Sequence, residues 1–503
     1  MNRLASLSYH FTLTQRITKR QLLHTMATYY DAIIIGSGQS GNPVAKAFAN
    51  AGHKTAVIER TALGGTCVNV GCTPTKTMIA SGRAAYMARR GKDYGVHAGN
   101  GNFEIDMARV RQRKRAIVEQ WNSGSVRGLN AAGVDVIMGE GSFVGDKKLK
   151  VVLNDGGEKE VSADKIFINV GERPLRPDIS GLDGVEPARV LDSTSIMELD
   201  AVPEHLVVLG GGYIGLEFGQ LFRRLGSEVT VIQRAKQLVP REDPDVAECL
   251  YDILQQDGLT VYLSSTVNSV SASTDSKMPF TVNVQTANGQ TDVAGSHILL
   301  AAGRVPNTDR LNLSEVGIKT TSKGHVVVDD KLQTSASNVY ALGDCHGGAA
   351  FTHISYDDSR IIRTNLLPKT MASTTPAMPT TQSSTSRVLT PYVMYTDPQL
   401  GHVGLHARDL FNSKREVKIA KMPMSYVARA LETAEPRGMM KATVEAKTGE
   451  ILGFTCLGLE GGEIMSIVQT AMMGNLKWWD LEAAVYAHPT LAESLNNLWG
   501  HLE

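Results

Sequence analysis

The sequence predicts an α/β chain: two domains built on β-α-β units, followed by an α+β domain. Three observations carry this. The apolar run Tyr29–Ile35 ends in a glycine turn and is followed by a helical pattern and a second strand. The same order returns from His205. Residues 387–503 hold several strands followed by helices. At about 150 residues per domain, 503 residues also allow roughly three domains.

Taken in order, residues 1–27 carry Arg3, Arg16, Lys19 and Arg20 among Leu4, Leu7, Phe11 and Leu13, with no Asp or Glu. That is the composition of a mitochondrial transit peptide. The competing readings are a disordered tail, or a shorter cytoplasmic chain starting at Met26. Strand Tyr29–Ile35, helix Pro43–Ala51 and strand Thr55–Glu59 then make the first β-α-β unit. Residues 76–131 read as mostly helical, with the basic run Arg109–Arg115 as a solvated face. Residues 134–170 read as short strands with turns. After Pro203 come strand His205–Leu209, helix Ile214–Leu225 and strand Glu228–Gln233, and strands continue to Ile298–Ala302. Residues 368–386 are rich in Ser, Thr and Pro, too polar to pack, and read as a surface loop or linker.

Composition excludes several classes. Lys plus Arg equals Asp plus Glu, 51 each, without the basic excess of a nucleic-acid binder. No run of 18 apolar residues spans a membrane. Five cysteines do not suit a disulfide-stapled secreted scaffold.

The first glycine turn is Gly36-x-Gly38-x-x-Gly41, between a strand and a helix. The first glycine permits the turn, the second admits a pyrophosphate, and the third lets helix and strand pack closely. The helix N-terminus offers N–H groups to the phosphates. Glu59 ends the next strand, where a carboxylate accepts from a ribose hydroxyl. The second turn is Gly210-x-Gly212-x-x-Gly215. Its following strand ends in Gln233-Arg234, with no acid at the ribose position. A carboxylate there would repel a 2′-phosphate, whereas Arg234, Lys236 and Arg241 can pair with one. NADPH is therefore expected over NADH. Two turns imply two dinucleotides, read as FAD and a nicotinamide, and hence hydride transfer.

Cys67 and Cys72 stand in a C-x4-C segment, Gly64–Lys76, just after the first unit. In a regular helix positions five apart rise about 7.5 Å. A disulfide needs Cα atoms about 4.4–6.8 Å apart. An oxidised pair therefore requires an irregular segment, which Gly71 and Pro74 favour. The other readings are two structural thiols or half of a metal site. No second cysteine pair or Cys/His cluster completes a metal site, so no resident metal is expected.

GGTCVNVGCTPTK resembles the redox signature of the FAD-dependent pyridine nucleotide–disulfide oxidoreductases, among them glutathione reductase, dihydrolipoamide dehydrogenase and mercuric reductase. LGGGYIGLEFGQ, ILLAAGRVPNT, NVYALGDC and AHPTLAES follow in that family's order, from about residue 30 to the end. The resemblance implies two Rossmann-like domains and a C-terminal α+β dimerisation domain. Residues 28–166 would form the first part of the FAD domain and 167–303 the NAD(P)H domain. Residues 304–367 would return to the FAD domain, and 387–503 would dimerise. Cys72 would face the flavin and Cys67 attack the substrate. Thr66, Gly343 and Asp344 would join the first turn at FAD. Lys76 would pair with Glu217 near the flavin. Tyr213 would cover the nicotinamide, with Gly303 nearby. His488, held by Glu493, would be the acid/base contributed from a partner in a homodimer.

The expected reaction passes electrons from NADPH through flavin and the Cys67–Cys72 disulfide to a small disulfide or another acceptor, in cell redox homeostasis. Pro240–Pro244 resembles mercuric-reductase wording, which makes metal-ion reduction the alternative. Against it, no cysteine follows Cys456, and His488 is kept. Dihydrolipoyl dehydrogenase is a further alternative, although its members carry an acid where Gln233 stands. The remaining thiols, Cys249, Cys345 and Cys456, are read as inert.

Overall fold

Ile33, Ile34 and Ile35 are β-branched and buried, and such a run favours a strand covered on both faces. In the computed structural model it lies in strand Thr28–Ile35, hydrogen-bonded in parallel to Thr55–Glu59 on one side and Glu158–Ile168 on the other. The described residues are 27–97, 103–367, 383–387, 389–410, 413 and 415–503. All but the last residue of the 1–27 segment read as a transit peptide, and most of the 368–386 segment, lie outside them. The described residues fall into two compact units.

The first unit takes in residues up to Gly65, Asn122–Glu172 and Pro306–Ser384. Its six-stranded sheet closes on itself. Asp135–Gly145 pairs in parallel with Thr55–Glu59 through its first half and antiparallel with Lys148–Leu153 through its second. Lys148–Leu153 pairs antiparallel with Glu158–Ile168, which also holds Val339–Ala341 in parallel. Helix Gly41–Asn50 buries Val44, Ala45 and Phe48 against this sheet, and helix Thr352–Leu366 adds Ile361 and Ile362 to the same core.

The second unit gathers Thr66–Trp121, Arg173–Val305 and Thr385–Glu503. A parallel sheet runs in the order Thr260–Tyr262, Glu228–Ile232, His205–Leu209, His297–Leu300 and Val190–Leu191. A three-stranded antiparallel sheet spans Thr266–Gly295. A five-stranded antiparallel sheet is built from Tyr392–Met394, Gln399–Gly404, Ile451–Gly458, Met439–Glu445 and Val417–Pro423, with helix Gly461–Met473 packed on it.

Two helices of this unit position the chemistry. Helix Cys72–Arg90 and helix Tyr213–Leu225 cross closely where Gly82 meets Leu221: a Cβ on Gly82 would sit 2.7 Å from Leu221 Cδ1. Beside this crossing Tyr86 is ringed by guanidinium groups, those of Arg224, Arg90, Arg83 and Arg437 lying 3.9, 5.0, 5.6 and 5.9 Å from its ring centre. Asp397, Glu435 and Asp257 pair with these cations. Burial works against charge on Asp397, but Arg224 and Arg83 outweigh it and hold the carboxyl below its usual range.

The basic run corrects one expectation. Arg109–Arg115 is not simply a solvated face: Lys114 is buried and pairs with Glu198, and Arg113 donates to the Thr77 carbonyl at 2.7 Å. Five basic residues within seven positions look solvated in sequence because Glu198, the acid that Lys114 and Arg115 share, is 84 positions from Lys114.

Candidate active site

Gly36, Gly38, Gly41, Glu59, Gly343 and Asp344 lie in the first unit; Thr66, Cys67, Cys72, Lys76, the second glycine turn, Gly303, His488 and Glu493 lie in the second.

In the first turn Gly36 has φ +101°, and a Cβ there would meet the Asn169 carbonyl at 2.3 Å. A Cβ on Gly41 would come as close to the Gly36 carbonyl. The turn therefore tolerates no side chain at either position. Glu59 is buried, and one of its carboxylate oxygens accepts from Ser37 N and Oγ at 3.0 and 2.7 Å. The other accepts from Thr61 N at 2.8 Å. Gly343 donates to Asp358 at 2.7 Å, while Asp344 accepts from Ser355 Oγ at 3.3 Å. This cradle fits a dinucleotide pyrophosphate and ribose: bare backbone at a helix start, and an acid at the end of the next strand.

In the second turn Gly210 has φ +118°, and a Cβ on Gly215 would lie 2.1 Å from its carbonyl. Gly212 differs. A Cβ there would meet nothing within 4 Å, so this glycine answers to no packing demand of the protein, as expected where a ligand approaches the backbone. Gln233 Oε1 accepts from Gly211 N at 3.0 Å, binding the side chain into the turn, while Arg234, Lys236 and Arg241 are exposed. Gly303 has φ +133° and accepts from Leu175 N at 3.0 Å.

The cysteine pair straddles a helix break. Helix Gly65–Asn69 carries Thr66 and Cys67; Gly71 turns the chain, and Cys72 opens helix Cys72–Arg90. A Cβ on Gly71 would lie 2.8 Å from the Thr66 carbonyl and 3.3 Å from Cys67 Cα, so only glycine lets the chain fold back there. This is the irregularity that a C-x4-C disulfide requires. Cys67 is half-buried and Cys72 exposed.

Lys76 lies one helical turn beyond Cys72, on the same face. Its Nζ is 2.8 Å from Glu217 Oε2 and 4.9 Å above the Tyr395 ring. Glu217 is buried, and its other oxygen accepts from Tyr395 N at 2.8 Å. Burial opposes the Lys76 charge, but the fields of Glu217 and Cys72 outweigh it and raise the ammonium above its ordinary value. Tyr395 escaped sequence reading, since its backbone N–H and not its side chain holds Glu217.

His488 Nδ1 lies 2.9 Å from Glu493 Oε2, and the His488 side chain is 66% exposed, so Nε2 faces away from its orienting acid. Tyr213 donates to Glu242 Oε1 at 2.9 Å, as does Tyr392 at 2.7 Å. Burial comes first in pushing Tyr213 and Tyr392 far above the usual tyrosine range, with Glu242 next. Sequence reading missed Glu242, His402 and His406, which the fold brings within 4.8 Å of one another. The only local signal was the i,i+4 spacing of the two histidines. Burial pushes the thiols of Cys345 and Cys456 up to about 12 and that of Cys249 up to about 11, in keeping with inert sulfur.

Two glycine turns between strand and helix, two cysteines on either side of a helix break and a histidine oriented by Glu493 suit a flavin- and nicotinamide-dependent redox protein. The chain belongs to the pyridine nucleotide-disulphide oxidoreductase family: that family's model matches residues 30–361, and the model of its dimerisation domain matches residues 390–498. It is thus an oxidoreductase of the FAD and NAD(P)H class. It is 33% identical to the probable pyridine nucleotide-disulfide oxidoreductase RclA of Escherichia coli, over 93% of this chain and 98% of that one. It is 32% identical to the mercuric reductase of Bacillus cereus, over 93% of this chain and 70% of that one. The solved Cu(II) complex of the E. coli HOCl-induced flavoprotein disulfide reductase RclA superposes with a TM-score of 0.83 at 33% identity, over 94% of this chain and 99% of that one. Among the described residues no helix is long and apolar enough to cross a membrane.

Proposed function

We propose that the chain is an NADPH-dependent flavoprotein reductase of small disulfides, working through Cys67 and Cys72. The carrying observation is Cys72 at the start of its helix, with Lys76 one turn on and held by Glu217. The helix terminus and the ammonium together favour negative charge on the Cys72 sulfur.

Bound FAD would supply two-electron transfer between the nicotinamide and the Cys67–Cys72 disulfide. Gly36, Gly38, Gly41, Glu59, Thr66, Gly343 and Asp344 would hold the FAD. Gly210, Gly212, Gly215, Tyr213, Gly303 and the exposed Arg234 would hold the nicotinamide dinucleotide, with Arg234 suited to pair with a 2′-phosphate. The Cys67 thiolate attacks one sulfur of the substrate disulfide, forming a mixed disulfide and displacing a thiolate. His488 gives that thiolate its proton, with Glu493 fixing the ring by its Nδ1 hydrogen bond. The Cys72 thiolate then attacks the Cys67 sulfur, displacing the second half of the substrate as a thiolate, which takes its proton from solvent, and restoring the internal disulfide.

The matched dimerisation domain and the exposure of His488 support a homodimer in which each His488 serves the partner's dithiol. Residues 28–166 and 304–367 act as the FAD domain, 167–303 as the NAD(P)H domain and 387–503 as the dimer domain. The compartment is proposed as mitochondrial matrix if residues 1–27 are cleaved and cytoplasm if synthesis starts at Met26; sequencing the mature N-terminus decides.

The test is anaerobic reduction by NADPH, followed by reoxidation with a panel of small disulfides and with Hg(II), reading the flavin spectrum. Disulfides should reoxidise the wild type, and Cys67→Ser should keep its flavin while losing disulfide turnover by about a thousandfold or more. Normal turnover in that variant overturns the mechanism. Reoxidation by Hg(II) and by no disulfide would instead make the chain a metal-ion reductase.

A further inference from the structure

We propose that Glu242, His402 and His406 bind a divalent ion of the zinc class, at a site that uses neither Cys67 nor Cys72. The three come from separate elements. Glu242 lies in the turn before helix Pro244–Gln256, His402 in strand Gln399–Gly404, and His406 just ahead of the short helix Ala407–Leu410. One carboxylate oxygen and one ring nitrogen from each histidine lie within 4.8 Å of one another.

Two atoms in this cluster have unmet bonding capacity. Glu242 is fully buried; its Oε1 accepts from Tyr213 and Tyr392, but its Oε2 has no hydrogen-bond partner. His406 Nε2 meets the Tyr392 hydroxyl at 3.0 Å, while its buried Nδ1 has no partner. Buried polar atoms are rarely left so, and two in one cluster point to a group that satisfies both. His402 is already oriented: its Nδ1 meets Thr455 Oγ1 at 2.8 Å, the outer contact that steadies a ligating imidazole, and its Nε2, the nitrogen left to ligate, meets the Gly404 carbonyl at 3.2 Å and must release it to bind an ion.

The ring geometry sets a condition. The His402 and His406 rings are stacked, with centroids 3.8 Å apart and planes at 9°, so their in-plane lone pairs run side by side and do not converge. Binding therefore requires the His406 ring to turn, giving up its bond to Tyr392. Two imidazoles and one carboxylate, with a fourth position open to water, suit zinc; calcium and magnesium prefer oxygen sets.

The test uses the full-length holoenzyme with Cys67→Ser and Cys72→Ser, which removes competing thiol ligands, titrated with ZnCl2 against a chromophoric chelator. One zinc should bind per chain and raise the melting temperature. Adding Glu242→Gln or His406→Gln should weaken binding by about tenfold or more. Co(II) in place of zinc should give the visible absorption of a low-symmetry four- or five-coordinate ion in the parent and lose it in either variant. No stoichiometric zinc in the parent, or equal affinity in parent and both variants, overturns the proposal.

Discussion

Gln233 is where the second glycine turn departs from a ribose-binding acid. Its amide oxygen is occupied by Gly211 N, so it adds no negative charge, and the next residue, Arg234, stands exposed. A guanidinium can pair bidentately with a 2′-phosphate, and hydrogen bonds to charged groups are worth about 1.5–3 kcal/mol. Arg234→Ala should therefore raise KM for NADPH by about tenfold to a hundredfold and leave KM for NADH nearly unchanged. An equal loss for both dinucleotides would place Arg234 outside the 2′-phosphate site. At this scale the sequence was informative wherever one residue answers to its immediate neighbours. The positive φ of Gly36 and Gly210 follows from a turn a few residues long. Lys114 was misread because its acid lies far along the chain.

At the scale of elements, the crossing of helices Cys72–Arg90 and Tyr213–Leu225 carries Lys76 to Glu217. Gly82 makes that approach possible. Gly82→Ala should overpack the contact and cost about 1–3 kcal/mol, read from the urea midpoint. Leu221→Ala alone should cost about 2–5 kcal/mol. The double variant should be more stable than the sum of the two by about 1 kcal/mol, since the added methyl then enters the space left by leucine. Strict additivity would mean that the helices simply part. Both β-α-β units were legible, strand Thr55–Glu59 at both of its ends, because strand, glycine turn and helix are contiguous. The Lys76–Glu217 pair, 141 residues apart, was reachable only through resemblance to a family. The Glu242, His402 and His406 cluster was reachable through neither, since nothing local tells a loop glutamate which strand it will face.

For the whole molecule, the proposed dimer makes a quantitative forecast. A two-fold interface that lends His488 to the partner's dithiol gives two identical composite sites. Cys67→Ser and His488→Ala homodimers should each be inactive for disulfides. Unfolded together in equal amounts and reassembled, they should recover about a quarter of wild-type activity: half the dimers are mixed, and each mixed dimer has one intact site. Recovery of nothing would mean that each chain serves itself.

The same interleaving of distant segments has a consequence in time. The hydroxyl of Ser40 donates to the carbonyl of Ser355, a separation of 315 residues, and Arg90 reaches Glu435, 345 residues away. At about 5–20 residues per second, a ribosome that has finished Ser40 takes roughly 15–60 s to deliver Ser355. Neither compact unit can close while synthesis is under way in its last segment. The nascent chain carries its first glycine turn and its dithiol segment for most of that interval without their final neighbours, which makes it a natural client for chaperones.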